Sequence, residues 1–281
     1  MNDILIMFSL ILVCLENFQE YILTNIAQLL RLEHTEIYVL TNEHLIPQFE
    51  PFSQFLHLVA VETLDDPFRF KHCSTLDKEF RGGFWYHTSA RFFVIHSFML
   101  KYGVQDVIHI ENDVLLYYNI DEELVETFVD KKLYIPFDTY ERNIASIVYI
   151  PDADIFGQIL GHYDFGKNDM YNFSEIRKHT GLIQNLPIFV TDNSTLERAF
   201  VTNGYKKYIF DAAAIGQLVG GVDPRNTGGD TRGFVNETCV IKYKDEGTIV
   251  WKMDKPFLKI NDSEIPIFNL HIHCKNLSIY C

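Results

Sequence analysis

The sequence predicts an α/β fold on a mostly parallel sheet, and three observations predict it. Short β-branched runs alternate with amphipathic helical runs through the first half, those strands read apolar on both faces, and one of them ends abruptly in acids. The chain has 281 residues, 47% apolar and 14% aromatic, so a large core can be buried and disorder is excluded.

The elements follow in order. Residues 4–15 form a nearly unbroken apolar run preceded only by the charge of Asp3. A secretion signal would carry Lys or Arg there and a small-residue cleavage site after it, and a membrane span needs about 20 apolar residues. The run therefore reads as a buried strand over residues 4–9 and the loop that leaves it. Residues 21–32 (YILTNIAQLLRL) have the spacing of an amphipathic helix, and residues 36–41 and 55–61 read as the next two strands, a βαβ rhythm with right-handed crossovers. A polar and aromatic stretch, RGGFWYHTSARF, leads into a helix over residues 89–101 that Gly103 ends. The segment VIHIENDVLLYY then opens with a central strand at residues 107–110.

Beyond Lys132 the pattern is less regular. YIPFD and ASIVYIP read as strands and FGQILGHY as a short helix. A further helix is capped by Asn168 or Asp169 and stopped by Gly181, a glycine-rich loop spans residues 220–233, and IFNLHIHCKNL closes the chain as a strand. No repeat, low-complexity segment or long linker appears, so one domain over residues 1–281 is expected.

Charge narrows the function. With 38 acidic and 24 basic residues the formal charge is -14, which disfavours a nucleic-acid partner, and an anionic small molecule would need a local cation. Five scattered cysteines without a CxxC pair indicate reduced thiols, and a soluble cytoplasmic chain without a membrane span is expected. Five Asn-x-Ser/Thr triplets, at Asn172, Asn193, Asn236, Asn261 and Asn276, would matter only in the secretory pathway.

The chemistry concentrates in two places. Glu111 and Asp113 arrive as the central strand ends, at the edge where parallel sheets bind ligands, and the small Asn112 between them lets both face one cavity and hold a divalent cation. A solvated acidic strand end is the plainer alternative. In NLHIHCK, strand alternation puts His271 and His273 on one face, followed by Lys275 as a point charge for a phosphate oxygen. An imidazole added to two carboxylates favours manganese over magnesium.

An acidic triplet ending a buried strand, followed far downstream by His-x-His-x-Lys, resembles the nucleotide-sugar-dependent glycosyltransferases of the GT-A fold. Their signature is the Asp-x-Asp metal motif, with Glu111 replacing the first Asp here. The length together with FDAAAIGQLVGGVDPRN and TRGFVNETC is similar to the small glycosyltransferases of chloroviruses, large DNA viruses of algae, and most to the xylosyltransferase type that acts on the capsid N-glycan. The resemblance implies a nucleotide-sugar-binding half at residues 1–118 and an acceptor-side half with the closing strand at residues 119–281. It implies a UDP-sugar donor, UDP-xylose first, a glycan or glycoprotein acceptor, and Mn2+ or Mg2+ held by Asp113, Glu111 and His271 or His273.

It further implies that Phe8, Ser9 and Thr41 hold uracil and ribose at the strand exits, and that Arg91, Lys275 and Asn112 with Glu111 lie along the donor. Inversion would need a carboxylate base: Asp169 by its place at a helix start, Asp223 in the glycine-rich loop, or Asp211. Helix capping explains Asp169 equally well, and a structural ion pair explains Arg91. Among the aromatic residues, Trp85 is the one expected to stack on a ring. A nucleotidyltransferase would normally carry a basic glycine-rich phosphate loop, which FSLILVCLEN lacks. A non-catalytic nucleotide-sugar or glycan-binding module and a transferase of another UDP-hexose remain as alternatives.

Overall fold

A run that is apolar at every position must be covered on both faces, and the sheet achieves this for the first strand. A computed structural model of the chain describes residues 7–128, 130–189 and 208–281. β1 (Ser9–Cys14) is buried along its whole length. Leu10, Leu12 and Cys14 enter one apolar cluster with Ile22, Ile26 and Leu29, while Ile11 and Val13 enter a second with Phe92, Ile95 and Phe98. Helix α1 (Tyr21–Arg31) supplies the first cover and helix α2 (Phe84–Tyr102) the second.

The remaining strands of this sheet are β2 (Ile37–Thr41), β3 (His57–Ala60), β4 (Val107–Ile110), β6 (Leu133–Ile135), β7 (Ile147–Ile150) and β8 (Ile183–Asn185), in the order β8-β6-β7-β4-β1-β2-β3. Neighbours are parallel except around β7, which runs against both β4 and β6. The fold is thus mixed α/β with a mostly parallel central sheet. Helices α3 (Ala153–Gly161) and α4 (Asp169–His179) follow β7, with Asn168 as the α4 cap through its bond from the Tyr171 amide. After α5 (Ala214–Gly220) comes an antiparallel meander of β9 (Thr248–Lys252), β10 (Lys255–Ile260) and β11 (Ser263–Pro266). The closing β12 (Asn269–His271) leaves the meander and pairs with β5 (Val114–Leu116), the strand just after the acidic triplet.

Three boundaries depart from the sequence reading. The first strand occupies the second half of the apolar run, not residues 4–9, because its register with β2 and β4 buries residues 9–14; residues 4–6 lie outside the described residues. Helix α2 begins at Phe84 rather than Ser89, since Tyr86 packs on Phe70 and draws the aromatic stretch into the helix. The closing strand ends at His271, and His273 sits in the turn that follows. Of the Asn-x-Ser/Thr triplets, the one at Asn193 lies outside the described residues and Asn172 is buried, its amide holding three backbone carbonyls. Among the described residues no helix is long and apolar enough to cross a membrane.

Candidate functional site

Parallel pairing sets Ile11 beside His109, so β1 and β4 end on the same edge of the sheet, and Glu111 emerges there. The triplet makes a tight turn closed by the Val114 amide on the Glu111 carbonyl at 3.0 Å. Both acids reach the same imidazole: His271 Nε2 lies 3.2 Å from Glu111 Oε2 and 3.3 Å from Asp113 Oδ2. Asn112 between them turns away and donates to the Val13 carbonyl at 2.8 Å and Gln19 Oε1 at 2.7 Å. Its expected contact with the cofactor is therefore replaced by a brace between the turn and the β1 exit.

His271 arrives by strand pairing, opposite Val114, and the Ile272 amide donates to the Asp113 carbonyl at 2.8 Å. Its ring is aimed by a second bond, Nδ1 to the Ala212 carbonyl at 2.8 Å. A carbonyl only accepts, so Nδ1 carries hydrogen and Nε2 is the atom turned on the two acids. His273 follows in the turn, its ring stacked on that of His271 with centroids 4.0 Å apart. Asp113, His271 and His273 each offer one ligand atom, and all three atoms lie within 4.8 Å of one another. The Lys275 ammonium pairs with Asp113 Oδ2 from the same turn, at a positive φ of 63°.

The electrostatics follow from this packing. Burial would raise the Asp113 carboxyl, but Lys275 and His271 hold it well below the ordinary carboxylate range. Burial acts likewise on Glu111 and is overridden by Arg91 and His271. Burial would lower the His271 imidazole, yet Asp113 and Glu111 lift it to about 9. Burial and the neighbouring His271 push His273 down, favouring its neutral form. Two deprotonated carboxylates and two imidazoles form a donor set that suits a divalent transition cation. Glu111 Oε2 has no hydrogen-bond partner among the described residues and faces the His271 ring, so this oxygen is available as a ligand.

The other residues singled out by the sequence fare differently. Arg91 is buried, with its guanidinium forked between Glu111 Oε1 at 2.5 Å and Asp169 Oδ2 at 2.9 Å. It braces Glu111 rather than standing open to a diphosphate. Asp169 is 3% exposed, and burial raises its carboxyl against the pull of Arg91. Phe8 and Ser9 stand at the opposite end of β1. Phe8 packs edge-on against Phe128 and Tyr149 and Ser9 pairs with Val107, the start of β4 rather than its exit. Neither residue stands at the edge where β4 ends; Leu15 and Glu16 do, where β1 leaves the sheet. Thr41 stands opposite Cys14, at the edge where β1 ends, with its hydroxyl given to the Cys14 carbonyl at 2.7 Å.

Asp223 lies on the loop that follows α5 and is gripped by Arg225 through Nε and a second guanidinium nitrogen, at 2.6 to 3.1 Å. Burial would raise its carboxyl, but Arg225 and then Lys275 hold it low, which puts it within electrostatic reach of the cluster. Asp211 is fully buried and accepts from the amides of Ile215, Gly216 and His271, a purely structural cap. Trp85 is half-buried and packs edge-on against Phe84.

Three site residues escaped the sequence reading. Tyr21 lies under Lys275, whose ammonium is 5.5 Å from the ring centroid, and burial together with Asp113 drives its phenol upward. Arg225 sits over the Phe84 ring and feels Asp113. Asn25, fully buried, donates to the carbonyls of Glu111 and Asn112 at 3.3 Å each. A signal existed for the last: Asn25 and Gln28 interrupt the apolar face of α1, and buried amides require partners.

No protein-family model matches the chain, and no curated protein matches it. Among solved structures it is similar to mouse xyloside xylosyltransferase 1, at 11% identity with a TM-score of 0.46, covering 69% of this chain and 92% of that one. It is also similar to the galactosyltransferase LgtC bound to donor and acceptor sugar analogues, at 14% identity and TM-score 0.40, covering 63% and 73%. A third is a Bacillus anthracis protein described as a candidate glucose-1-phosphate thymidylyltransferase, at 10% identity and TM-score 0.40, covering 63% and 85%.

Proposed function

We propose that this chain is a GT-A-type glycosyltransferase that uses a divalent cation, manganese before magnesium, to hold a UDP-sugar and transfers the sugar to a glycan. The resemblance of its sequence motifs makes UDP-xylose the donor and a viral capsid N-glycan the acceptor. One observation carries the reading: Glu111 and Asp113, at the carboxyl edge of a mostly parallel sheet, meet His271 from the closing strand at 3.2 and 3.3 Å.

The cation, when bound, supplies Lewis acidity that neutralises charge developing on the departing diphosphate. Asp113, Glu111 and His271 would hold it. Arg91 keeps Glu111 turned toward the centre and takes its own orientation from Asp169. Lys275 lies beside Asp113 and provides a point charge for a phosphate oxygen. The β1 and β2 exits, with Glu16 bonded through its amide to Asn42 and Asn42 to Glu62, give the nucleoside a polar ledge on the same edge. For an inverting transfer, Asp223 takes the proton of the acceptor hydroxyl from the loop side.

The test is release of UDP from UDP-xylose, UDP-glucose and UDP-galactose by the purified chain, with and without Mn2+ and a glycan acceptor. We expect Mn2+-dependent release, greatest with UDP-xylose, and a loss of about 100-fold or more in Asp113→Asn. Asp223→Asn should abolish transfer to glycan while slow hydrolysis persists, and NMR of the product should show an inverted anomeric centre. Donor binding without turnover would instead identify a binding module. Turnover of a nucleoside triphosphate with a sugar phosphate would identify a nucleotidyltransferase.

A further inference from the structure

We infer that His273 is a second nitrogen ligand, making the centre a two-imidazole, carboxylate site that prefers later first-row ions such as cobalt and zinc over magnesium. This rests on the proposed metal-dependent function and adds the identity of the donor set and of the ion it selects.

Three independent observations converge. The Nε2 of His273 is buried and has no hydrogen-bond partner among the described residues; ring nitrogens of His34, His96 and His109 share that state, but of these four residues His273 alone stands in a group of possible metal ligands. The ring lies along that of His271, 4.0 Å away and tilted by 27°, and the ligand atoms of Asp113, His271 and His273 all fall within 4.8 Å of each other. Ligands about 2.1 Å from one ion stand roughly 3 Å apart when adjacent and roughly 4 Å apart when opposite, so a set within 4.8 Å comes onto one ion with a closing movement of about half an ångström. Finally, the turn that carries the ring is closed by backbone bonds, the His273 amide to the His271 carbonyl at 3.1 Å and the Lys275 amide to the Ile272 carbonyl at 3.0 Å.

The chemical consequence follows from ligand type. Magnesium favours oxygen ligands and gives up water reluctantly, whereas imidazole suits the later divalent ions. A centre with one imidazole accepts either class, and a second imidazole tilts the choice. Lys275, already paired with Asp113, is the ammonium such an ion has to move aside.

The experiment titrates the full chain with Co2+, Mn2+ and Mg2+ alone, without donor, by calorimetry, and records the visible absorption of the Co2+-loaded protein. We expect Co2+ to bind at least about 100-fold more tightly than Mg2+. His273→Ala and His273→Asn should lose about tenfold or more in Co2+ affinity and shift the cobalt bands, while Mg2+ affinity moves less than about threefold. A second measurement needs no variant: in wild-type chain with 15N-labelled histidine, Zn2+ should move the resonances of two imidazoles that titrate together. Unchanged cobalt bands and affinity in both variants, or movement of only one imidazole, overturns the assignment of His273 and leaves the metal-dependent function standing. Failure of the wild type to bind any of these ions overturns both.

Discussion

Replacing Gly216 by alanine tests the site through its scaffold, because two well-established effects oppose each other there. Inside a helix, alanine is ordinarily better than glycine by about 1 kcal/mol. In α5, however, a Cβ on residue 216 would stand 1.9 Å from the His271 carbonyl oxygen, 2.7 Å from its carbon and 3.0 Å from Asp211 Oδ2. Ordinary contact begins at 3.4 Å, so α5 and β12 would have to part by about 3.4 − 1.9 = 1.5 Å. The obstacle is backbone inside a buried strand pair, which has no rotamer to change. Parting them strains the bonds that Asp211 accepts from the Gly216 amide at 2.8 Å and the His271 amide at 2.9 Å. Overpacking costs about 1–3 kcal/mol and each bond to a buried carboxylate about 1.5–3 kcal/mol, of which partial relaxation recovers some. Net destabilisation of about 3 kcal/mol is expected for Gly216→Ala, read in urea unfolding and as a fall of several degrees in midpoint. Mn2+ affinity should fall with it, because His271 moves. Gly161, at the end of α3 with nothing within 4 Å of its would-be Cβ, is the control, and Gly161→Ala should be neutral or stabilising. A Gly216→Ala protein as stable as the control variant would refute the packing of α5 on β12, and with it the placement of His271.

Further outcomes are expected elsewhere in the site. Arg91→Met leaves Glu111 and Asp169 buried without their shared cation and should cost about 3–5 kcal/mol in urea unfolding, with loss of Mn2+ binding. His271, lifted to about 9 from an ordinary 6.5, stabilises the metal-free fold below about pH 6.5 and loses that contribution as pH rises through 9. Mn2+ needs the Nε2 lone pair, so its affinity should rise over the same interval by up to about tenfold per unit; calorimetry and unfolding at pH 6, 7.5 and 9 would show the two trends with opposite sign. Asn25→Leu keeps the branched shape, at a larger volume, but strips the donors from the Glu111 and Asn112 carbonyls; a loss of about 1–3 kcal/mol and weaker Mn2+ binding are expected, with unaltered affinity counting against a bracing role.

What the sequence made legible is what periodicity and chemistry both mark. The β-branched run around Ile108 and the helical spacing from Tyr21 are each distinctive, and the acids after Ile110 mark where β4 stops. The apolar run of residues 4–15 carries no such marker. Without a polar residue to break it, its exit is placed from one end only, and the placement slid the strand by about one half-run, taking Phe8 and Ser9 to the wrong edge of the sheet. Arg91 was visible as a cation near the acids, but its partner Asp169 lies 78 positions away, and only the fold reveals that the two neutralise one another. The pairing of His271 with His273 was legible as a spacing, although a turn rather than a continuing strand sets the two rings face to face.

The centre is made by one strand pairing, and that pairing is overdetermined. Leu270 opposes Leu115 and enters the core together with Ile272, while Asn269 bonds Asp211 through both its amide oxygen and its amide nitrogen, at 3.2 and 2.9 Å. A slip of one residue would turn His271 to the core and bring Leu270 to the acids, so register and site stand or fall together. Glu111 and Asp113 are fixed early in the chain by β4 and the Asn25 amide of α1, and the imidazoles reach them only when β12 docks. A cation that binds this set therefore recognises the folded chain and not the unfolded one. At 100 times its dissociation constant it adds about 2.7 kcal/mol to folding. An ion held there for a diphosphate would thus also clasp the closing strand to the middle of the chain.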